Sequence, residues 1–470
     1  MTSYIAASVR RQRSRRTFSA TPILVAGLIA LAGCSPTEVL QVHDPDIINP
    51  SDVQSAAGAD AVRLGAIGRL GSATAGGSSG SEGLFLLSGL FADEWNNGDS
   101  FIDRWQVDQR SITPQDGFLT DVDRLLQRSR VSASQAVGLL RQYKPTGAVA
   151  DVAEMYFIQA YVENVIGEHY CNGLVLSNVT NGAEQYGSPM STQAAFEQAL
   201  AHADSGLVLI TGNSTADVKV RTALAITKGR ILLNLDRPAD AAAAVAGVPT
   251  SYVYQMLYEA TKTDNAIWSY NNSARRYSVS TNEGTNGLNF ATANDPRLPI
   301  CQGGDVVCKA NGVTINQRDD KSAFPIYVQL KWPVRDASVT IVGGIEARMI
   351  EAEAAYRAND FTGMIAKLNQ ARTEGGVAGL PATLTDPGTV NGRVDLIFRE
   401  RAFWFFSTGH RVGDLRRLIK FYGRTAETVF PTGNWHKGGP YGPDVNFPVP
   451  QAEQTNPNVS LGNTCTDRAP

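Results

Sequence analysis

Charge is scarce in this sequence of 470 residues: Asp, Glu, Lys and Arg together make up 19% of it, against roughly 25% in an average soluble protein. Lys and Arg number 42 and Asp and Glu 45, a formal balance of −3. There is no cationic surplus of the kind that nucleic-acid binding requires, so nucleic acid is excluded as the main partner. The five histidines, at positions 43, 169, 202, 410 and 436, are too dispersed to form a metal-binding motif, and no metal or cofactor is expected. The chain contains no H-E-x-x-H, no Walker A loop and no G-x-G-x-x-G after a strand, which removes the common zinc-hydrolase and nucleotide-binding signatures. Apolar runs are short, none reaching the roughly 20 residues of a membrane-spanning helix. What the chain does have is 43% hydrophobic residues and 44 glycines. That is enough to bury a substantial core and to supply many loops.

Residues 1–33 read as a leader rather than as fold. Arg10, Arg11, Arg13, Arg15 and Arg16 precede an apolar run from Pro22 to Ala32, and Leu31-Ala32-Gly33-Cys34 closes it. The order is a charged n-region, a short apolar h-region and small residues at a cleavage point. Leu-Ala-Gly-Cys resembles a bacterial lipobox, which implies acylation of Cys34 and attachment of the mature chain, 34–470, to a membrane through that lipid. Ser14-Arg15-Arg16-Thr17-Phe18 also resembles a twin-arginine export motif, so both export routes stay open. Ser35 after the cysteine favours the outer membrane. The leader carries five arginines and no acid, so its loss takes the formal charge from −3 to −8. Acyl chains, not charge, would then hold the protein at an anionic surface.

Export also changes the cysteine arithmetic, because it places the remaining thiols in an oxidising compartment. Cys171, Cys301, Cys308 and Cys465 form an even set with three possible pairings. Cys301 and Cys308 enclose six residues, Gly303 and Gly304 among them. That favours their closure and leaves Cys171 with Cys465.

Helical periodicity dominates the mature chain. Asn49-Pro50-Ser51 reads as a turn and cap before a helix over 52–70, and 71–83 as a Gly/Ser loop. That loop holds Gly76-Gly77-Ser78-Ser79-Gly80, a formal G-x-S-x-G match without the apolar strand that a nucleophile elbow needs. Apolar positions recur at three-to-four spacing over 119–141, 147–167 and 193–209. Val220, Ala223, Leu224, Thr227, Ile231 and Leu235 line one face of another helix. It turns at Asp236-Arg237-Pro238 into a short Ala-rich helix, and Gly229 and Ala241 are the small residues that paired helices of tetratricopeptide type need where they cross. Residues 346–354 with 361–372 form a second such pair, 394–406 with 413–421 another, and 156–166 with 196–207 the first. The expected fold class is mainly α, with four scattered tetratricopeptide-like helix pairs as a scaffold over about 119–249 and 344–421. An irregular, loop-rich lobe is expected from about 71–118, 250–343 and 422–470. The stretch 250–342, rich in Asn, Tyr, Ser and Gly, is too long for a simple connection and marks a functional lobe.

Several stretches, in order, resemble the SusD/RagB-like nutrient-binding lipoproteins of bacterial outer membranes. They are the lipobox with 39–50, the run 346–354 with Leu368-Asn369-Gln370-Ala371-Arg372, and Arg399-Glu400-Arg401 leading to Gly409-His410-Arg411-Val412-Gly413-Asp414-Leu415-Arg416-Arg417. Phe447-Pro448-Val449-Pro450 with Glu453 and Asn456-Pro457 completes the series. The resemblance implies one composite domain of helix pairs with a binding lobe on one side. It further implies a non-catalytic, surface-facing lid over a SusC-like TonB-dependent transporter, capturing glycans or other oligomeric nutrients.

Sugar recognition needs flat apolar faces beside amide and charged groups. Trp95, Asn96 and Asn97 supply that combination, as do Trp268, Tyr270 and Asn271 with Arg276 and Tyr277, and Trp435 beside His436 is a third candidate. The competing reading is of packed aromatics with turn asparagines. The charges between Arg399 and Arg417 read as a paired network locking the last helices to the scaffold, since unpaired buried charge is costly. Two other functions remain open: a helical adaptor binding only protein, and an envelope glycoside hydrolase. For the latter Asp93 and Glu94 would be the first carboxylates to test, although neighbours on a strand point to opposite faces.

Overall fold

Short polar residues open most of the long helices. In the computed structural model, which describes residues 53–470 except 78–80, 181–182, 322–323, 382, 461–464 and 466, Ser55 caps α1 (Ala56–Thr74) by accepting from the Gly58 N–H. The leader, the lipobox with Cys34, the stretch 39–50 and Ser78 lie outside the described residues. There follow α2 (Gly83–Phe91), α3 (Ile102–Asp108), α4 (Gly117–Tyr143, capped by Asp116) and α5 (Val149–His169). Ser191 caps α6 (Thr192–Leu209), and a capping box of Ser214 and Asp217 starts α7 (Thr215–Asn234), each satisfying amide donors that the first turn leaves free. The short α8 (Pro238–Ala244) opens on the expected proline. After the lobe come α9 (Gly344–Arg357), α10 (Phe361–Glu374), α11 (Val390–Trp404) and α12 (Arg411–Phe421).

Three of the four expected helix pairs form: α5 packs on α6, α7 on α8, and α9 on α10. A Cβ on Gly229 would stand 2.7 Å from Val245 Cγ1 and 3.1 Å from Ile350 Cδ1. Only glycine lets α7, α8 and α9 approach so closely. The fourth pair is looser: α11 and α12 meet through side chains, Arg401 with Asp414 at 2.8 Å and Arg417 over the Phe398 ring at 5.7 Å, while α12 also packs on α5 and α2. Two further departures concern the start of the chain. The loop expected over 71–83 is shorter, since α1 runs to Thr74 and packs against α4. α2 is buried along its whole length, and a helix apolar on every side carries no 3.6-residue period to read.

The lobe contains short strands rather than a large sheet. β1 (Trp95–Asn97) pairs antiparallel with β3 (Tyr277–Val279), and β2 (Val253–Met256) with β6 (Val339–Gly343). β4 (Ile300–Gln302) pairs antiparallel with β5 (Tyr327–Gln329), setting Cys301 opposite Val328. Cys301, Cys308, Val313, Ile326 and Val328 make a small core of their own, apart from the main one, which a Cys301–Cys308 disulfide staples. A second disulfide, Cys171–Cys465, ties the C-terminal segment to the end of α5 across 294 residues of sequence. No helix among the described residues is long and apolar enough to cross a membrane.

Candidate functional site

β1 and β3 organise the loop-rich side, and their side chains belong mostly to the core. Trp95 is fully buried. Its indole N–H donates to Ser407 Oγ at 3.0 Å, and its ring lies 4.8 Å from that of Phe406. Tyr277 is also fully buried, with its hydroxyl donating to Glu82. Asn271 spends its amide on the carbonyls of Tyr277 and Tyr327, at 2.7 and 3.0 Å, and accepts from the Gln329 N–H. Asn96 and Asn97 are buried as well, Asn96 accepting from Arg318 and Asn97 from Lys437. Trp435 is 5% exposed and packs edge-on to Trp105. These six residues are therefore structural, not ligand platforms: turn-like composition and core composition look alike until distant partners are known.

Trp268, Tyr270 and Arg276 come out differently, since all three are only half-buried. Backbone bonds assemble their surroundings. The Gly98 N–H donates to the Arg276 carbonyl at 2.7 Å, Asp320 N–H to Gly98 at 2.8 Å, and Asp319 N–H to Arg275 at 3.1 Å. Three loops thus meet beside Phe101, which is 52% exposed. The Arg276 guanidinium sits 5.6 Å from the Phe101 ring centre and 5.9 Å from that of Tyr270. Below them the buried Arg104 lies 4.3 Å from the Phe118 ring and 5.8 Å from Tyr270, held by Glu82 at 2.9 and 3.0 Å. Cation–π contacts of this kind stabilise an exposed arrangement by about 0.5–1 kcal/mol each. The more pronounced hollows lie elsewhere, such as one of about 330 Å³ lined by Gly71, Lys219, Tyr254 and Met256. Phe101, Tyr270 and Arg276 therefore form an open platform, with half-exposed Trp268 on the same segment, its N–H tied to the Pro333 carbonyl at 3.1 Å. Phe101 was not among the residues expected from sequence. Its only local signal is an exposed aromatic four residues before Trp105.

The carboxylates first considered for hydrolysis are closed to a substrate. Asp93 is fully buried and accepts two bonds of 2.7 Å from Arg411. Glu94 is fully buried and accepts from the Ser407 N–H at 2.9 Å. Burial pushes the Glu94 carboxyl up to about 8, although the Ser407 amide works against it. Between the ordinary carboxylate range and pH 8 the folded chain therefore keeps a proton that the unfolded chain has lost, so this group lowers stability as pH rises through that window. Glu94→Gln is expected to gain on wild type from pH 5 to pH 8.5 in denaturant titrations, by more than the roughly 1.4 kcal/mol that one unit represents. Parallel curves at the two pH values would contradict the assignment.

The C-terminal charges form the expected paired network. Arg401 grips Asp414 at 2.8 and 2.9 Å, and Arg417 reaches Glu353 at 2.9 Å and Asp414 at 3.1 Å. Glu400 accepts from both Arg297 and Arg372, at 2.7 and 2.6 Å. Arg416 instead donates to the Gly167, Glu168 and Tyr170 carbonyls at 3.0, 2.6 and 3.3 Å, satisfying acceptors at the end of α5 where the helix dipole favours a cation. Arg399 is exposed, with its guanidinium 4.9 Å from the Phe403 ring.

No protein-family model matches the chain, and no curated protein sequence does. Solved structures do. A SusD-like carbohydrate-binding protein from Bacteroides fragilis shares 13% identity, with a TM-score of 0.64 over 87% of this chain and 99% of that one. A SusD superfamily protein from Parabacteroides distasonis shares 12%, with a TM-score of 0.61 over 86% and 99%. A SusD/RagB family protein from Bacteroides thetaiotaomicron shares 12%, with a TM-score of 0.59 over 85% and 94%. At such identities the likeness is one of shape, and its coverage takes in both the helix pairs and the loop-rich lobe: the chain has the SusD-like fold.

Proposed function

We propose that this protein is a non-catalytic outer-membrane lipoprotein that binds an oligosaccharide and passes it to a TonB-dependent transporter. The observation that carries the reading is the open platform of Phe101, Tyr270 and Arg276. Ring faces of this kind cover the C–H faces of a pyranose, and a guanidinium beside them donates to hydroxyls. An open platform suits several units of an extended chain better than one enclosed small molecule. Fold-mates described as carbohydrate-binding support the ligand class, and the lipobox at Cys34 supports anchoring. Isothermal titration of the purified protein against neutral oligosaccharides, monosaccharides and peptides tests it. Saturable binding of at least one oligosaccharide, with no product of hydrolysis on chromatography, is expected, together with a barrel protein retained on mild detergent extraction. Binding to protein alone would favour the adaptor, and absence of any glycan binding would sink the proposal.

A further inference from the structure

The sequence scatters its histidines, but the fold brings one of them to two carboxylates. Asp108 ends α3, Glu283 lies in the loop after β3, and His436 comes from the C-terminal segment. One donor atom from each lies within 4.8 Å of the others. His436 Nδ1 stands 3.6 Å from Asp108 Oδ2 and 3.9 Å from Glu283 Oε2. Nε2 of the same ring meets the Asn97 carbonyl at 3.1 Å. A carbonyl can only accept, so Nε2 carries the proton and Nδ1 the lone pair. That Nδ1 is buried and has no hydrogen-bond partner among the described residues. Metal-ligating histidines are held in this way, the far nitrogen donating to a carbonyl so that the near one faces the ion.

Donor spacing fits a metal as well. Atoms bound to zinc at about 2.1 Å in a tetrahedron stand roughly 3.4 Å apart, and small side-chain shifts would close the remaining gap. Neighbouring donors orient the carboxylates: Asp108 accepts from the Asn97 N–H at 2.9 Å, and Glu283 from the Tyr441 hydroxyl. Two cations flank the cluster, but their donors are engaged. Arg318 donates to the Asn97 carbonyl and Asn96 Oδ1, each at 3.2 Å, and Lys437 to Asp320 and Asn97 Oδ1, at 2.8 and 2.7 Å. Two buried carboxyl groups therefore face an imidazole nitrogen that has no hydrogen-bond partner among the described residues.

We infer that Asp108, Glu283 and His436 bind one divalent transition-metal ion, zinc being the best match to two carboxylate oxygens and one imidazole nitrogen. The ion would clamp three segments that are distant in sequence, and Asn97, which bonds to both Asp108 and His436, adjoins the Gly98 that meets the Arg276 backbone. It is a structural site, independent of which ligand the platform takes. The other three-residue group, Cys301, Asp305 and Cys308, has its two sulfurs committed to a disulfide.

Equilibrium dialysis of the purified protein against zinc chloride, with the bound metal quantified, is the first test. One zinc per chain and a rise of several degrees in Tm are expected, with Glu283→Gln and His436→Gln each weakening binding at least tenfold. Zinc-edge anomalous scattering from wild-type crystals grown with zinc decides the matter even if a variant fails to fold. A peak among the three side chains is expected. A peak elsewhere, no stoichiometric zinc, or variants that bind as tightly as wild type would overturn the inference.

Discussion

Arg230→Ala is expected to destabilise the protein by about 3–5 kcal/mol, the usual effect of removing one partner from a buried ion pair. Arg230, on α7, is 2% exposed. It donates to Glu168, at the end of α5, at 2.8 and 2.5 Å, and to the Gly409 carbonyl at 2.8 Å. Glu346, on α9, lies 3.9 Å from it. One side chain thus joins two scaffold helices to the turn that starts α12, and its loss leaves the buried Glu168 with no cation, only the Asn234 amide at 2.7 Å, while Glu346 keeps His410 at 3.1 Å. Burial by itself would raise the Glu168 carboxyl, but Arg230 overcomes this and holds it down to about 2. A carboxyl depressed in the folded state contributes stability above its unfolded value near 4.5 and loses it as pH falls toward 2. The gap between wild type and Arg230→Ala should accordingly be largest near pH 7 and narrow below pH 4. Urea titrations at pH 7 and pH 4 measure both. A loss under about 1 kcal/mol at pH 7, where a broken surface pair would fall, contradicts the account.

The C-terminal network of Arg401, Asp414 and Arg417 was legible in sequence, because charges placed among Phe403, Trp404, Phe405 and Phe406 have to be paired; Arg230, Glu168 and Glu346 carried no such local signal. The helix pairs were legible for a similar reason. Apolar period, cap residues and the small Gly229 each announce a helix and the face it buries. That α12 also packs on α5 and α2 was not legible, because nothing within 411–421 says which helices will cover it. Trp95 shows the same gap at a candidate site. Trp-Asn-Asn suits a sugar platform and a packed strand equally, and what decides is Ser407, 312 residues away. Phe101 is the converse case. It becomes a platform only because Tyr270 and Arg276 arrive beside it through loop-to-loop backbone bonds. Asp108, Glu283 and His436 share no spacing at all, so no motif could have grouped them.

Removing both ring faces of the platform, in Phe101→Ala/Tyr270→Ala, is expected to weaken oligosaccharide binding by ten- to hundredfold. Covering a large apolar side chain contributes about 1.5–3 kcal/mol, and each 1.4 kcal/mol is a factor of ten in Kd. Arg276 also loses the two rings over which it is held, so its donors are no longer fixed for hydroxyls. The fold should tolerate the change, because Phe101 is more than half exposed and the deeper Arg104 keeps its bonds to Glu82. Trp95→Ala would instead unfold or loosen the core, and any effect on binding would come with a fall in Tm. The decisive measurement is therefore a paired one: isothermal titration of wild type and the double variant with one oligosaccharide that binds wild type, alongside the Tm of each. At least tenfold weaker binding with the Tm kept within a few degrees is the predicted result. Equal affinity in the two proteins would contradict the claim that Phe101, Tyr270 and Arg276 form the glycan site.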